Sequence, residues 1–232
     1  PQEKSDLDEL IETTETELTR QTTVHEKWCV VMGGLESRSR NGAGAVIGHC
    51  KEAVDHLTSS DGTLLDQRDT PEHRKFEHVL NMCEQWAQGD KLLTNEVKKD
   101  GEAARQAYRA AQEEAEAAES IEPTEGFKFE MCLPQPIKDA MKWNLDQAEA
   151  QIEYNQTVRE SVQGATTHMR EGRPADVVAS RTSLSTMRDD PRSSKTVADQ
   201  IDERLSLAEQ DFERQCDVQR LHEQAVLLLT EN

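Results

Sequence analysis

Apolar residues recur along residues 5–38 in alternating steps of four and three. The stripe consists of Leu7, Ile11, Thr14, Leu18, Gln21, His25, Trp28, Met32 and Leu35, of which six are apolar. This spacing is typical of a coiled-coil seam, in which each helix presents a narrow stripe to its neighbour. Ser5 suits the N-cap, and acidic residues follow it where the helix dipole favours negative charge. The pattern predicts a helix over 5–38.

The segment 70–120 continues a seven-residue pattern after a strong helix start. Thr70-Pro71-Glu72 combines a capping hydroxyl, a proline at the first helical position and an acid. The stripe then contains Phe76, Val79, Cys83, Trp86, Leu93, Val97, Ala104, Ala107, Ala111 and Ala118. Asp90 and Asp100 interrupt it and Gly101 favours a kink. If continuous, this helix over 70–120 would be about 75 Å long.

Two further long helices are predicted, over 136–170 and 195–230. The first stripe comprises Ile137, Met141, Leu145, Ala148, Ile152, Val158, Val162 and Met169. The second comprises Val197, Ile201, Leu205, Ala208, Phe212, Cys216, Leu221, Ala225 and Leu228. Short helices are predicted over 46–58 and 175–188. Glycine, proline and serine clusters separate these stretches, as is typical of turns.

These helices predict an all-α fold, because no period-two strand pattern occurs. We expect an elongated antiparallel three- to four-helix bundle with coiled-coil-like seams, forming a single domain over 1–232. The seam contains the polar residues Thr14, Gln21 and His25. Such residues either fix the register in which helices pair or belong to an interface whose partner is absent, so homodimerisation stays open.

The composition suits narrow apolar stripes and argues against two classes of partner. Only 34% of residues are hydrophobic and 4% are aromatic, whereas 31% are charged. The net charge of −19 arises from 27 Lys and Arg against 46 Asp and Glu, which disfavours nucleic acid and anionic membrane surfaces. No segment approaches the roughly 20 consecutive apolar residues of a membrane-spanning helix.

Five sparse cysteines do not resemble a disulfide scaffold. Cys83 and Cys216 fall on apolar stripes and are predicted to be small buried hydrophobes. The odd number leaves at least one thiol free or paired between chains. Asn155-Gln156-Thr157 matches the N-glycosylation acceptor pattern. An extracellular or cell-surface location and a cytoplasmic one are favoured about equally.

Two pairs that contain histidine are candidate metal ligands, His25 with Cys29 and His73 with His78. His25 and Cys29 share a helical face, but structural zinc needs four donors, and the adjacent His49 and Cys50 point apart on a helix. A hydrogen-bonded core histidine is therefore the favoured interpretation of His25. His73 and His78 lie about 140° apart around a helix and are predicted to face solvent.

No catalytic, cofactor or metal site is predicted. The glycines in 42–48 have the spacing G-x-G-x-x-x-G, one residue longer than a dinucleotide fingerprint, and no strand precedes them, so a flexible corner is favoured. A reactive cysteine needs a nearby base and an electropositive site. Cys29 and Cys50 have histidines close in sequence, but their surroundings are not electropositive. Carboxylates are so abundant that no acid–base pair is distinguished.

An acidic run comprises Glu113, Glu114, Glu116 and Glu119. A solvated helical face is the favoured interpretation, and a docking surface for a basic partner is the alternative.

These features favour a non-enzymatic protein-interaction or structural module that presents an acidic helical surface to a protein partner. One alternative is an extracellular rod-like surface-coat or receptor ectodomain of the kind that some parasites display, which suits the polarity and the Asn155 triplet. A second is a BAR-type membrane-associated dimer, which also uses three long helices. The acidic net charge disfavours the basic concave face that such dimers require.

Overall fold

The computed structural model describes residues 2–38, 70–171 and 174–230, with side chains described over 7–36, 70–167 and 177–229. The described residues form six helices and no strand, so the all-α prediction is confirmed. The helices are α1 (Gln2–Arg38), α2 (Pro71–Leu93), α3 (Gly101–Ser120), α4 (Gln135–Glu171), α5 (Pro174–Arg188) and α6 (Lys195–Thr230). The predicted helix 46–58, the glycine corner 42–48, His49 and Cys50 lie outside the described residues.

The prediction of one helix over 70–120 is wrong, because α2 ends at Leu93 and α3 begins at Gly101. The Asn95 side-chain oxygen accepts hydrogen bonds from the backbone N–H groups of Val97 (2.9 Å) and Lys98 (3.1 Å). Such local bonds offer the backbone an alternative to the helical ladder. The chain therefore turns at Asn95. The interruptions of the apolar stripe at Asp90 and Asp100 do not identify Asn95 as the residue that forms the turn.

Two helix starts follow from capping side chains. Thr70 accepts the backbone N–H of His73 on its hydroxyl at 3.2 Å, so the predicted start at Thr70-Pro71 is confirmed. The Ser194 hydroxyl accepts the N–H of Val197 at 3.4 Å, and α6 begins at the next residue, Lys195. These caps satisfy N–H groups that the first turn of a helix leaves unpaired.

The chain divides into two compact units. The first comprises the described residues within Pro1–Lys91 and Ala103–Gln147, and the second those within Leu92–Glu102 and Ala148–Asn232. The single domain over 1–232 stays a prediction.

The core of the first unit contains Trp28 and Trp86, the tryptophans of the two predicted apolar stripes. Trp28 is 3% exposed and Trp86 1%, and the Trp28 ring meets Phe76 edge-on with centroids 5.4 Å apart. The other large buried apolar side chains are Val24, Val31, Met32, Leu35, Val79, Met82, Met131, Leu133, Ile137 and Met141. By contrast, Leu7, Ile11 and Leu18 are exposed, so the predicted stripe of α1 is buried only from about residue 20 onward.

The core of the second unit draws on α4, α5 and α6. Its buried members are Tyr154, Val158, Ala165, Val177, Leu184, Ile201 and Ala208, with Val162, Met187, Val197, Leu205 and Phe212 packed against them. The stripe predicted for α6 is buried only to Phe212, since Cys216, Leu221, Ala225 and Leu228 are exposed. Burial of the second half of this stripe is therefore a wrong prediction, as is burial of Cys216.

Candidate functional site

A buried carboxylate lies at the start of α2 in the first unit. Glu72 is fully buried, and its two oxygens accept the backbone N–H of Thr124 at 2.6 Å and the Thr124 hydroxyl at 3.0 Å. The Arg20 guanidinium, also buried, lies 3.7 Å from the same carboxylate. A buried charge is tolerated when it is paired and hydrogen-bonded in this way. Glu72 therefore joins α1, α2 and the connection 121–134.

Gln21 makes a second link between α1 and this connection. Its side-chain oxygen accepts the N–H of Lys128 at 3.1 Å, and its amide nitrogen donates to the carbonyl of Gly126 at 3.3 Å. Gly126 has a φ of 89°, a conformation that favours glycine. The polar seam residue Gln21 is thus satisfied within its own chain.

Lys75 and the aromatic rings of Trp28 and Phe129 lie beside the polar contacts of Glu72 and Gln21, and we call these residues together the polar cluster. The Lys75 ammonium donates to the carbonyl of Ile121 at 3.1 Å and lies 5.9 Å from the centre of the Trp28 ring. The half-buried His25 ring stacks on Phe129, with centroids 4.4 Å apart. His25 therefore contacts the connection 121–134 through its face.

Ion pairing and burial shift the pKa values of three charged groups in and beside the polar cluster. Arg20 donates two hydrogen bonds to Glu17, at 2.7 and 2.8 Å, and this pairing lowers the pKa of Glu17 and raises that of Arg20. Burial lowers the pKa of the Lys75 ammonium. The charges thus satisfy each other and the backbone, an arrangement that holds the connection in place.

The predicted histidine and cysteine candidates are distributed as follows. His25 Nε2 lies 3.5 Å from the exposed Cys29 sulfur. Cys83 is buried, as predicted. His73 is buried, so its predicted solvent exposure is wrong, and the half-buried His78 lies 2.6 Å from a Glu114 oxygen. Among the described residues, no group of three His, Cys, Asp or Glu is arranged to hold a metal ion.

A tyrosine–carboxylate contact joins α2 and α3. The Tyr108 hydroxyl donates to Asp90 at 2.8 Å, and the Asn144 amide lies 3.5 Å from the same oxygen. Burial and the neighbouring carboxylate raise the pKa of Tyr108. Tyr108 therefore stays protonated and acts as a hydrogen-bond donor.

In the second unit, Tyr154 anchors the turn between α5 and α6. Its hydroxyl donates to the carbonyl of Met187 at 2.8 Å, and the Arg192 guanidinium lies 4.9 Å from the centre of its ring. Arg192 also donates to both oxygens of Asp190, at 2.7 and 2.9 Å, which lowers the pKa of Asp190. Together these contacts order the turn over 189–194.

Two helical segments leave apolar side chains exposed. In α1 these are Leu7, Leu10, Ile11 and Leu18, and in the second half of α6 they are Val218, Leu221, Val226, Leu227, Leu228 and Leu229. Several exposed apolar residues on one helical segment indicate an interaction surface more strongly than single ones do.

The predicted acidic run on α3 is partly engaged with its own chain. Glu114 contacts His78, and Glu119 pairs with Lys138 at 2.5 Å. Glu113 and Glu116 are exposed, and Gln112 donates to Glu116 at 3.0 Å. This run is therefore not a uniformly free face.

Comparison of the chain with protein-family models, curated proteins and solved structures finds no match. Within the part of the chain that the structure describes, no helix has the length and apolar character needed to cross a bilayer.

Proposed function

We propose that this chain is a non-enzymatic interaction module, which presents the acidic first half of α1 to a protein partner. The observation that carries the proposal is the exposure of Leu7 (56%), Leu10 (63%), Ile11 (47%) and Leu18 (48%). Positions 7, 11 and 18 lie on the stripe predicted from the sequence, and Leu10 lies beside it. If a partner covers these side chains, each Å² of apolar surface removed from water contributes about 25 cal/mol to the gross free energy of association.

The residues around this stripe define the chemistry of the partner. Asp8, Glu9, Glu12 and Glu15 are all exposed on the same segment. A helix of this type fits a groove with an apolar floor and basic edges. Charge complementarity would mainly accelerate association, whereas the leucines would supply most of the affinity.

The contrast with α3 favours α1 as the binding segment. The acidic run on α3 contacts His78 and Lys138 of its own chain, and its apolar stripe of alanines is buried. On the first half of α1 the stripe itself is exposed, so both apolar area and charge are accessible there.

The finer architecture that we propose for this module is an antiparallel three- to four-helix bundle with coiled-coil-like seams. It is supported by apolar stripes that are buried from residue 20 of α1 onward and up to Phe212 of α6.

Site-specific photo-crosslinking tests the proposed surface. A photoreactive amino acid replaces Ile11 in one variant and the exposed Gln106 of α3 in a matched control. Both crosslinker variants are incubated with an extract of the cells that produce the protein and are then irradiated. We expect a discrete protein adduct from position 11 and none from position 106.

Leu7→Ser and Leu18→Ser are then combined with the crosslinker at position 11. Because both side chains are exposed, the fold should persist while the adduct disappears. Equal adducts at positions 11 and 106, or an adduct that survives the serine substitutions, would contradict the proposal.

A further inference from the structure

A groove in the second unit concentrates positive charge within an acidic protein. It lies along α4 and the first part of α6, with a volume of about 660 Å³, and the 94–100 loop contributes to its wall. Lys98, Lys99, Arg159 and Arg204 line it, and none of its described lining residues is an acid. Since 46 of 232 residues are Asp or Glu, about one in five, an acid-free lining of fourteen residues is unusual for this chain.

Three of these cations are available to a ligand. Within the described part of the chain, Lys98, Arg159 and Arg204 form no ion pair with a carboxylate. Arg159 donates only to the neutral side chain of Gln156, at 3.2 Å. Clustered cations in a groove focus the potential and raise the local concentration of anions.

The loop that carries the lysines is held in place by backbone contacts. The Lys195 N–H donates to the carbonyl of Glu96 at 2.8 Å, and the Thr196 N–H donates to that of Val97 at 3.1 Å. The Lys99 ammonium donates to the carbonyl of Pro191 at 2.8 Å. The Lys98 backbone is therefore positioned before a ligand arrives, which lowers the entropic cost of binding.

The uncharged lining residues narrow the class of ligand. Three are valines, Val158, Val162 and Val197, and the other seven carry amide or hydroxyl groups, among them Asn155, Gln163 and Gln200. Amides and hydroxyls both donate and accept hydrogen bonds, as sugar hydroxyls require of their partners. No described lining residue is aromatic, so the groove lacks the stacking platform of single-stranded nucleic-acid sites.

The groove is also elongated. Its lining on α4 extends from Asn155 to Thr167, which corresponds to about 18 Å at 1.5 Å per residue. We propose that this groove binds a linear anionic oligosaccharide, whose sulfate or carboxylate groups pair with Arg159, Arg204 and Lys98. The amide side chains bind its hydroxyls, and the valines contact the apolar faces of its rings. This site does not involve the α1 surface.

Titration calorimetry on the full chain tests the site. The protein is produced in bacteria, so that Asn155 carries no glycan. A heparin-derived hexasaccharide is the probe, with neutral maltohexaose and a polyglutamate peptide of equal charge for comparison, all at 150 mM salt. We expect one hexasaccharide per chain, no binding of maltohexaose and at least about tenfold weaker binding of polyglutamate.

Matched variants locate the binding. Arg159→Gln with Arg204→Gln should weaken hexasaccharide binding by at least about tenfold, because two charge-assisted contacts are lost. Arg181→Gln with Arg214→Gln removes the same charge from the same unit, at residues paired with Glu209 and Asp211 outside the groove, and should leave the Kd within about twofold. Gln163→Ala with Gln200→Ala should weaken hexasaccharide binding but not polyglutamate binding.

Three outcomes would overturn the proposal. These are no hexasaccharide binding by the unmodified chain, equal losses in the two arginine pairs, and polyglutamate binding as tight as hexasaccharide binding, which would indicate a site for acidic peptides. Should the Arg159 and Arg204 double variant fail to fold, Arg159→Gln alone carries the test, because Arg159 is exposed.

Discussion

Glu72 and Thr124, 52 residues apart in sequence, form two hydrogen bonds that link the start of α2 to the connection 121–134. The glutamate side chain is fully buried and lies in the first turn of α2, a position where acids usually contact solvent and the helix dipole. Here the carboxylate accepts from the connection 121–134 instead. The contact explains how a segment without regular secondary structure is held against two helices.

Replacing Glu72 with alanine should destabilise the first unit. The substitution leaves the Thr124 N–H without its acceptor and removes the nearby negative charge from buried Arg20. Arg20 keeps its closer partner Glu17, so the main cost is the lost acceptor, about 1–3 kcal/mol for a buried hydrogen bond. Urea denaturation would measure this loss of unfolding free energy.

Glu77→Ala is the matched control for that variant, because the Glu77 side chain is 52% exposed on the same helix. Its effect should stay within about 0.5 kcal/mol. Similar losses in the two variants would show that the buried contacts of Glu72 contribute little.

The three tryptophans should differ sharply in their contribution to stability. Trp28→Ala and Trp86→Ala each remove a buried ring and leave a cavity, with an expected cost of about 3–5 kcal/mol. Trp143 is 61% exposed on α4, so Trp143→Ala should change stability by less than about 1 kcal/mol. Thermal unfolding of the three variants makes the comparison, and an unchanged midpoint for Trp28→Ala or Trp86→Ala would contradict the placement of that ring.

Two helical glycines should respond to alanine with opposite sign. A Cβ at Gly89 would overlap the ring of buried Tyr108, so Gly89→Ala should cost about 1–3 kcal/mol. A Cβ at Gly164 meets nothing within 4 Å, and Gly164→Ala should stabilise α4 by about 0.5–1 kcal/mol. Chemical denaturation of both variants measures the difference, and a stabilising effect at Gly89 would argue against its close approach to Tyr108.

The pH dependence of stability should report on Tyr108. Its pKa in the folded protein is raised above the ordinary value of 10.0 by burial and by Asp90. Its contribution is therefore fully present below pH 10 and is lost as the pH rises further, because the unfolded chain releases the proton first. The stability difference between the native chain and Tyr108→Phe should shrink by up to about 1.4 kcal/mol per pH unit above pH 10. A difference that stays constant from pH 8 to 11 would exclude this shift.

Local signals could predict the helices but only part of the candidate surfaces. Thr70-Pro71 marks the start of α2, and the spacing around Trp28 and Trp86 identifies buried faces correctly. The sequence pattern does not predict the break after Leu93, because the apolar stripe continues through Val97, although Asn95 carries a turn signal. The groove around Arg159 and Arg204 has no sequence motif, because its cations come from three separate segments.

Burial was predicted less well than helicity. Leu18 and Cys216 lie on regular stripes yet are exposed, whereas His73 and Glu72 are polar yet buried. A periodic stripe shows which side of a helix could be covered. It does not show how far along the helix a neighbouring segment extends.

By itself, the sequence determined that the described chain is helical and roughly where most of its helices begin and end. Helical hydrogen bonds link residues four apart and caps act over three, so the deciding residues are neighbours in sequence. Only the tertiary structure decided that Glu72 and Gln21 are buried, because the connection 121–134 covers them from about 50 and 105 residues away. It likewise placed Lys98 beside Arg159 and Arg204 and left the first half of α1 exposed. Burial and local charge depend on contacts between distant segments, which no local pattern encodes.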